Sequence, residues 1–332
     1  MAAVISEALR GWDGCLAAAE EVTWATAVTP STHFLPYLSN TIQADEPVEE
    51  IPYMAAVNAT QAAHVGDTSV VTGHDVGGDV TTIAAYDRKA FILFCAHLLG
   101  VAPSTSGSGP YVHTLLLGAA GALPGLTGQN VVGAHSSLSV GEVIPGLIPT
   151  SLELSWSGRD NGARAKFSCL GWKSNGMAAV SGTVAIADAE EILGSHLGVL
   201  SWNSGSYQLN SGTLKIDRQL GRRFNSGNGL YTDKPQPTGR TMITLDAELD
   251  ITTYALETAR AAGTKSNAVL TFTGSGNNSL TITLNQAQVV KSTRDDGSKH
   301  VRTAQVQFRA HYVDASNRGV KFVFQNDNAA AV

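Results

Sequence analysis

The side chains most able to do chemistry are scattered through this sequence. The nine histidines, His33, His64, His74, His97, His113, His135, His196, His300 and His311, occur singly. No pair has the HExxH spacing that puts two imidazoles on one helical face for zinc. His74-Asp75, with Asp79 close by, comes nearest to a metal cluster, but it sits on an alternating strand beside Gly77-Gly78. Gly73, Gly77 and Gly78 do not spell a phosphate-cradling loop. Glycoside hydrolysis needs two facing carboxylates, and nothing pairs Glu142, Asp188, Glu190 or Glu191. Cys15, Cys95 and Cys169 form no CxxC motif and read as small buried hydrophobes. Trp12, Trp24, Trp156, Trp172 and Trp202 make no stacking row for a sugar. We expect no enzyme activity, cofactor or metal.

The elements that would have to position such groups point the same way. Charged residues are 15% of the 332, against roughly 25% in ordinary soluble domains. With 34 glycines and many Ser, Thr and Asn, this suits short strands and turns, and a surface buried against other subunits. The net charge of −6 and the single short cluster Arg218, Arg222, Arg223 leave no nucleic-acid footprint. Phosphates would be repelled rather than held, so DNA could still slide past. Met1 to Arg10 has no basic or apolar region of a signal peptide. No apolar run reaches the roughly 18 residues of a membrane span.

The organisation is a repeat. From Thr72, a strand over Asp79–Ile83 leads to a helix with Phe91, Phe94, Cys95 and Leu98 on one face, Asp87 as its expected N-cap and Gly100 as its stop. From Thr238, Ile243, Leu245, Ala247 and Leu249 alternate along a strand, and a helix over Tyr254–Ala262 ends at Gly263. Asp250, Thr252 and Thr253 offer that helix its caps. A hairpin follows each helix. The first has Leu152, Leu154 and Trp156, then Arg159-Asp160-Asn161-Gly162, then Ala163 to Cys169. The second has Leu280, Ile282 and Leu284, a turn over 294–298, then Ala304 to Ala310. Ala165 to Cys169 thereby aligns with Val306 to Ala310. Long polar segments, Gln43 to Ser69 and Arg218 to Pro237, precede the Thr-Gly strands and read as partner-contacting loops. The expected fold is mainly β, sandwich- or barrel-like with one flanking helix per unit. The expected organisation is an arm over 1–30 and units over 31–190 and 191–332.

These features resemble the major tail tube proteins of tailed bacteriophages. Glu21-Val22-Thr23-Trp24-Ala25-Thr26-Ala27-Val28-Thr29-Pro30-Ser31 is similar to the family's N-terminal pattern, with Ala25 where Gly is usual and Ser31 where Thr is usual. Phe94 to Gly100, Ile148 to Leu154 with Gly171-Trp172, and Gly212 to Asp217 leading to Thr238-Gly239-Arg240 are also similar. The resemblance implies packed sheets that join edge to edge between subunits into a tube, which removes exposed edges. It also implies loops reaching the next ring, a lumen for genome ejection, and a virion location after synthesis in the host cytoplasm. Implied partners are further copies, the tape-measure protein and genomic DNA, with sheath, baseplate and terminator proteins beside them; no membrane is implied. Single-unit tube proteins form six-fold rings, so a fused pair gives a trimeric, pseudo-six-fold ring, with a true hexamer as the alternative. The faces carrying Arg164/Lys166 and Gln305/Gln307 are lumen candidates. Other readings are a tail terminator or baseplate ring, and a β-sandwich adhesin or carbohydrate-binding module.

Overall fold

The computed structural model describes residues 14–45, 48–51, 68–71, 75–132, 140–158, 162–179, 191–194, 196, 198–224, 231–250, 254–295, 303–312 and 318–329. Strands dominate, as the alternating patterns require. The first part of the chain runs β1 (Cys15–Glu20), β2 (His33–Pro36), β3 (Ser39–Asn40), β4 (Gln43–Asp45), β5 (Val48–Ile51), β6 (Thr68–Val71), β7 (Asp75–Ile83) and helix α1 (Lys89–Leu99). It continues with β8 (Ser104–Ser106), β9 (Tyr111–Leu116), β10 (Leu126–Val132), β11 (Val140–Ser157), β12 (Arg164–Gly171) and β13 (Met177–Ala179). The second part has β14 (Gly198–Trp202), β15 (Gly205–Asp217), β16 (Leu220–Phe224), β17 (Thr232–Pro237), β18 (Met242–Asp250) and helix α2 (Ala255–Ala261). It ends with β19 (Lys265–Thr273), β20 (Ser279–Asp295), β21 (Thr303–Arg309) and β22 (Val320–Asn326).

The strand pairings recur in order through both parts, all of them antiparallel. β1 lies between β2 and β10 as β14 lies between β15 and β19. β3 and β4 pair with β7 as the second half of β15 pairs with β18. β5–β6 and β16–β17 are the corresponding hairpins. β11 and β20 are long strands shared between two sheets. Their first halves pair with β10 and β13, and with β19 and β22. Their second halves pair with β12 and with β21, which return to β7 and β18. The β8–β9 hairpin has no counterpart; β9 instead pairs with β22 of the second part. The strand β1, inside the segment expected as an arm, has Cys15 to Ala18 fully buried.

Three sequence expectations need correction. Leu280, Ile282 and Leu284 face β19 and β22, whereas the arm opposite β21 is Gln288–Asp295. Seventeen residues span two sheets, so alternation alone could not say which half made the hairpin. Nor is Asp87 the N-cap of α1: that position is Arg88, with no side-chain cap. Arg88 turns inward instead and donates to the Ile83 carbonyl at 2.8 Å. Asp250 accepts from Asn210 Nδ2 at 2.6 Å, and α2 has no side-chain cap at Tyr254; Thr252 and Thr253 lie outside the described residues. Both glycine stops are in place. Gly100 has φ +70° and Gly263 φ +65°, left-handed values that glycine adopts without strain.

One apolar core runs through both parts. α1 is buried from Ala90 to Leu99, and Phe91 packs edge-on against Phe167 and Phe324, at 5.9 and 6.0 Å between ring centres. Phe324 belongs to β22, so the helix of the first part is sealed by a strand of the second. The segments expected as long loops contain the β4–β5–β6 and β16–β17 elements, because short alternating stretches inside a polar segment can pair once a neighbour is supplied.

Candidate functional site

The feature that unites both parts is a sheet row running β3/β4, β7, β12, β11, β15, β18, β21, β20. Its central join is β11 with β15, seven residue pairs from Ser151 opposite Asp217 to Ser157 opposite Ser211. Gly212 is required there: a Cβ would stand 2.5 Å from the Trp156 ring and 2.9 Å from the Asp246 carbonyl. Period-two alternation gives the row two chemically distinct faces. Val80, Phe167, Leu154, Leu214, Leu245 and Phe308 are fully buried on one face. The other face is polar.

Charges on the polar face alternate across the strands. Lys166 Nζ lies 2.7 Å from Asp79 Oδ2, and Lys215 Nζ 3.3 Å from Glu153 Oε2. Glu153 sits opposite both Lys166 and Lys215, so acid and base alternate over β7, β12, β11 and β15. Burial acts to raise the Asp79 pKa, but hydrogen bonds from Lys166 and Ser168 and the Lys166 charge bring it below the usual carboxylate value. The hydrogen bond and charge of Asp79 raise Lys166 in turn. In the second part Gln307 Nε2 donates to Asp246 at 2.8 Å, and Ser211 Oγ donates to Glu248 at 3.2 Å. Exposed ion pairs contribute little to stability, about 0–1 kcal/mol. Their effect here is to occupy the lysines. Arg164, Lys166, Gln305 and Gln307, the two sets expected to flank a lumen, share this one face.

Several of the remaining candidates are engaged in packing. Asp75 of the His74-Asp75 pair meets Arg222 Nη1 at 3.3 Å, and Arg222 also donates to the Val76 carbonyl. Arg218 is buried, donating to the carbonyls of Leu99 and Gly118 at 3.2 and 2.9 Å; burial lowers its pKa to about 10. Only Arg223 of the arginine cluster is exposed without such a bond. Glu191 accepts from Asn278 Nδ2 at 2.7 Å and from the Ser275 amide, tying its segment to the β19–β20 turn. His113 bonds Thr105 and Asn326; His33 bonds Thr32. The free cysteines are all buried. Trp156 and Trp202 pack edge-on against Phe272 and Phe308. Trp172 stacks near Tyr231 under Lys173. Trp12, His64, His74, His135, Asp188, Glu190 and His300 lie outside the described residues. Among the described residues no three His, Cys, Asp or Glu side chains come together as metal ligands. No helix among the described residues is long and apolar enough to cross a membrane.

The N-terminal pattern has a concrete role. Glu21 is buried; its carboxylate accepts from the amides of Ala25 and Gly146, both at 2.8 Å, and from the Thr127 hydroxyl at 2.9 Å. Burial raises its pKa, and those three bonds partly offset the rise. This fastens the 21–26 turn onto β10 and β11, with Trp24 seated over Gly146 (φ +70°). Arg218 was invisible as a structural clamp in the sequence, because nothing local marks a buried arginine whose acceptors are carbonyls about 100 residues away.

The fold is mainly β, with one continuous sheet row whose polar face carries paired charges. The chain matches the phage tail tube protein family over residues 11–310, and it belongs to that family. It is therefore a structural protein of the bacteriophage tail, a virion component. No curated protein matches it.

Proposed function

We propose that this protein polymerises into stacked rings forming the tail tube, the conduit through which genome DNA is ejected. The observation that carries this reading is the β11–β15 join, which runs one sheet through both repeats of a single chain. Each repeat is taken as one tube unit, the first extended to include β1, with the division falling between β13 and β14. Three chains then supply six units to a ring. The polar face carrying the Asp79–Lys166–Glu153–Lys215 ladder faces the lumen. Lysines held by carboxylates leave passing phosphates fewer free cations to bind, so DNA slides. The tape-measure protein and DNA occupy the lumen, and sheath, baseplate and terminator proteins contact the outside and ends. The chain is made in the host bacterial cytoplasm and ends in the tail.

Electron microscopy of the purified protein tests this. The expected result is long tubes with three chains per ring. Six whole chains per ring would sink the trimer, and single closed rings that never stack would favour a terminator or baseplate role.

A further inference from the structure

The internal join has an unfilled counterpart at each end of the sheet row. The second half of β20 corresponds to that of β11 and carries β21 on one side; among the described residues no strand lies on its other side beyond Gln288. β3/β4 corresponds to the second half of β15 and carries β7 on one side, again with no described strand on the other. Inside the chain, the edges equivalent to these two are paired with each other.

The register of the missing join follows from the pairings. Ser292 lies opposite Val306 as Leu154 lies opposite Ala165, so Ser292 matches Leu154. Val80 lies opposite Phe167 as Leu245 lies opposite Phe308, so Val80 matches Leu245. Asn40, opposite Val80, therefore matches Leu214, opposite Leu245. Leu154 and Leu214 face each other across the internal join, both fully buried. Their counterparts, Ser292 and Asn40, must face each other across the join between chains.

Both of those residues carry an orphan. Asn40 Nδ2 and Ser292 Oγ are buried with no hydrogen-bond partner. Asn40 Oδ1 is already engaged by the Ile42 amide at 2.9 Å, which leaves its Nδ2 as a free donor. A buried donor without an acceptor is costly, and native proteins satisfy nearly all of them. Two independent orphans fall at the two positions that the repeat puts in contact.

We propose that β3/β4 of one chain pairs antiparallel with the second half of β20 of the next chain, and that Asn40 stands directly opposite Ser292 of the partner subunit. The proposal deepens the tube reading and rests on it. It makes the join between chains polar at the point where the join within the chain is apolar. The two joins then differ chemically at a matched position, which opposes their exchange.

The test is the double variant Asn40→Cys/Ser292→Cys. Directly opposite residues of antiparallel strands are about 4.5–5.5 Å apart at Cα, inside the span of a disulfide. The native Cys15, Cys95 and Cys169 are buried and stay silent. Under mild oxidation, assembled protein is expected to pass from monomer to covalent oligomer on a non-reducing gel, for most chains. Each single variant should stay monomeric. Asn40→Cys/Thr293→Cys, one residue out of register with its side chains on opposite faces, should do so too. Tubes seen by microscopy without the 40–292 cross-link would overturn this pairing and leave the tube reading standing. Cross-linked oligomers that never form tubes would uphold the pairing and overturn the tube reading. A cross-link in either single variant, or in the out-of-register pair, would overturn the proposed register. Neither tubes nor cross-link would overturn both.

Discussion

Replacing Ala25 by glycine should stabilise this protein. Ala25 has φ +60°, in the left-handed region that alanine adopts only at a cost. The turn demands it, since the Ala25 amide reaches back 2.8 Å to Glu21 Oε2 and the Thr26 amide 3.1 Å to the Thr23 carbonyl. A left-handed non-glycine residue costs about 1–2 kcal/mol. Glycine forfeits about 0.4–1 kcal/mol by loosening the unfolded chain. The balance is a gain of about 0.5–1 kcal/mol. At about 2–4 °C per kcal/mol for chains of this order, the melting temperature should rise by about 1–4 °C. Ala27→Gly is the control, because Ala27 is exposed and has no positive φ; it should lower the melting temperature. Differential scanning calorimetry of assembly-incompetent protein reads both. If the two variants fall together, the left-handed strain at Ala25 is not what the turn carries. The family's usual glycine at this position would then need another explanation.

Three further outcomes are expected. Arg218→Met should cost about 1–3 kcal/mol in urea denaturation, since the Gly118 carbonyl loses its donor and the Leu99 carbonyl keeps only the Gly118 amide; an unchanged midpoint would refute the clamp. Burial holds His97 neutral in the folded protein down to about 4, with a hydrogen bond to the Pro124 backbone acting the other way and Lys234 adding to the lowering. The unfolded histidine takes its proton near 6.5, so the unfolded state gains protons first and stability falls as pH drops from 6.5 towards 4. His97→Gln should flatten the denaturation midpoint against pH between 6.5 and 5, and an unaltered slope would count against it. Asp79→Asn/Glu153→Gln frees Lys166 and Lys215 on the polar face. Binding of a short fluorescent DNA duplex should then appear, with log K falling by up to about 1.8 per decade of salt if both lysines reach phosphate. Anisotropy showing no gain would argue against charge masking.

Much of the architecture was legible locally. Alternation along Ile243, Leu245, Ala247 and Leu249 marked β18, and Gly100 and Gly263 marked the ends of α1 and α2, because side-chain period and left-handed backbone are properties of the chain itself. The order of elements exposed the repeat, and the Glu21 pattern pointed to the family.

Partnership was not legible. Leu280 to Leu284 carry the same alternation whichever strand they meet, and only the fold assigned them to β19 and β22 rather than to β21. Asp87 has a good capping side chain, but the packing of Arg88 against Ile83 set the helix start. Lys166 and Lys215 look like free surface cations until β7 and β11 bring Asp79 and Glu153 beside them. The sequence by itself determined the alternation of strands such as β18, where the two helices stop, and a recurring order of strand, helix and hairpin. Tertiary structure alone decided that β15 closes onto β11, and therefore which edges have no neighbour among the described residues. The physical reason is that periodicity is encoded between neighbours, whereas a strand's edge is satisfied by whichever backbone the whole fold carries to it.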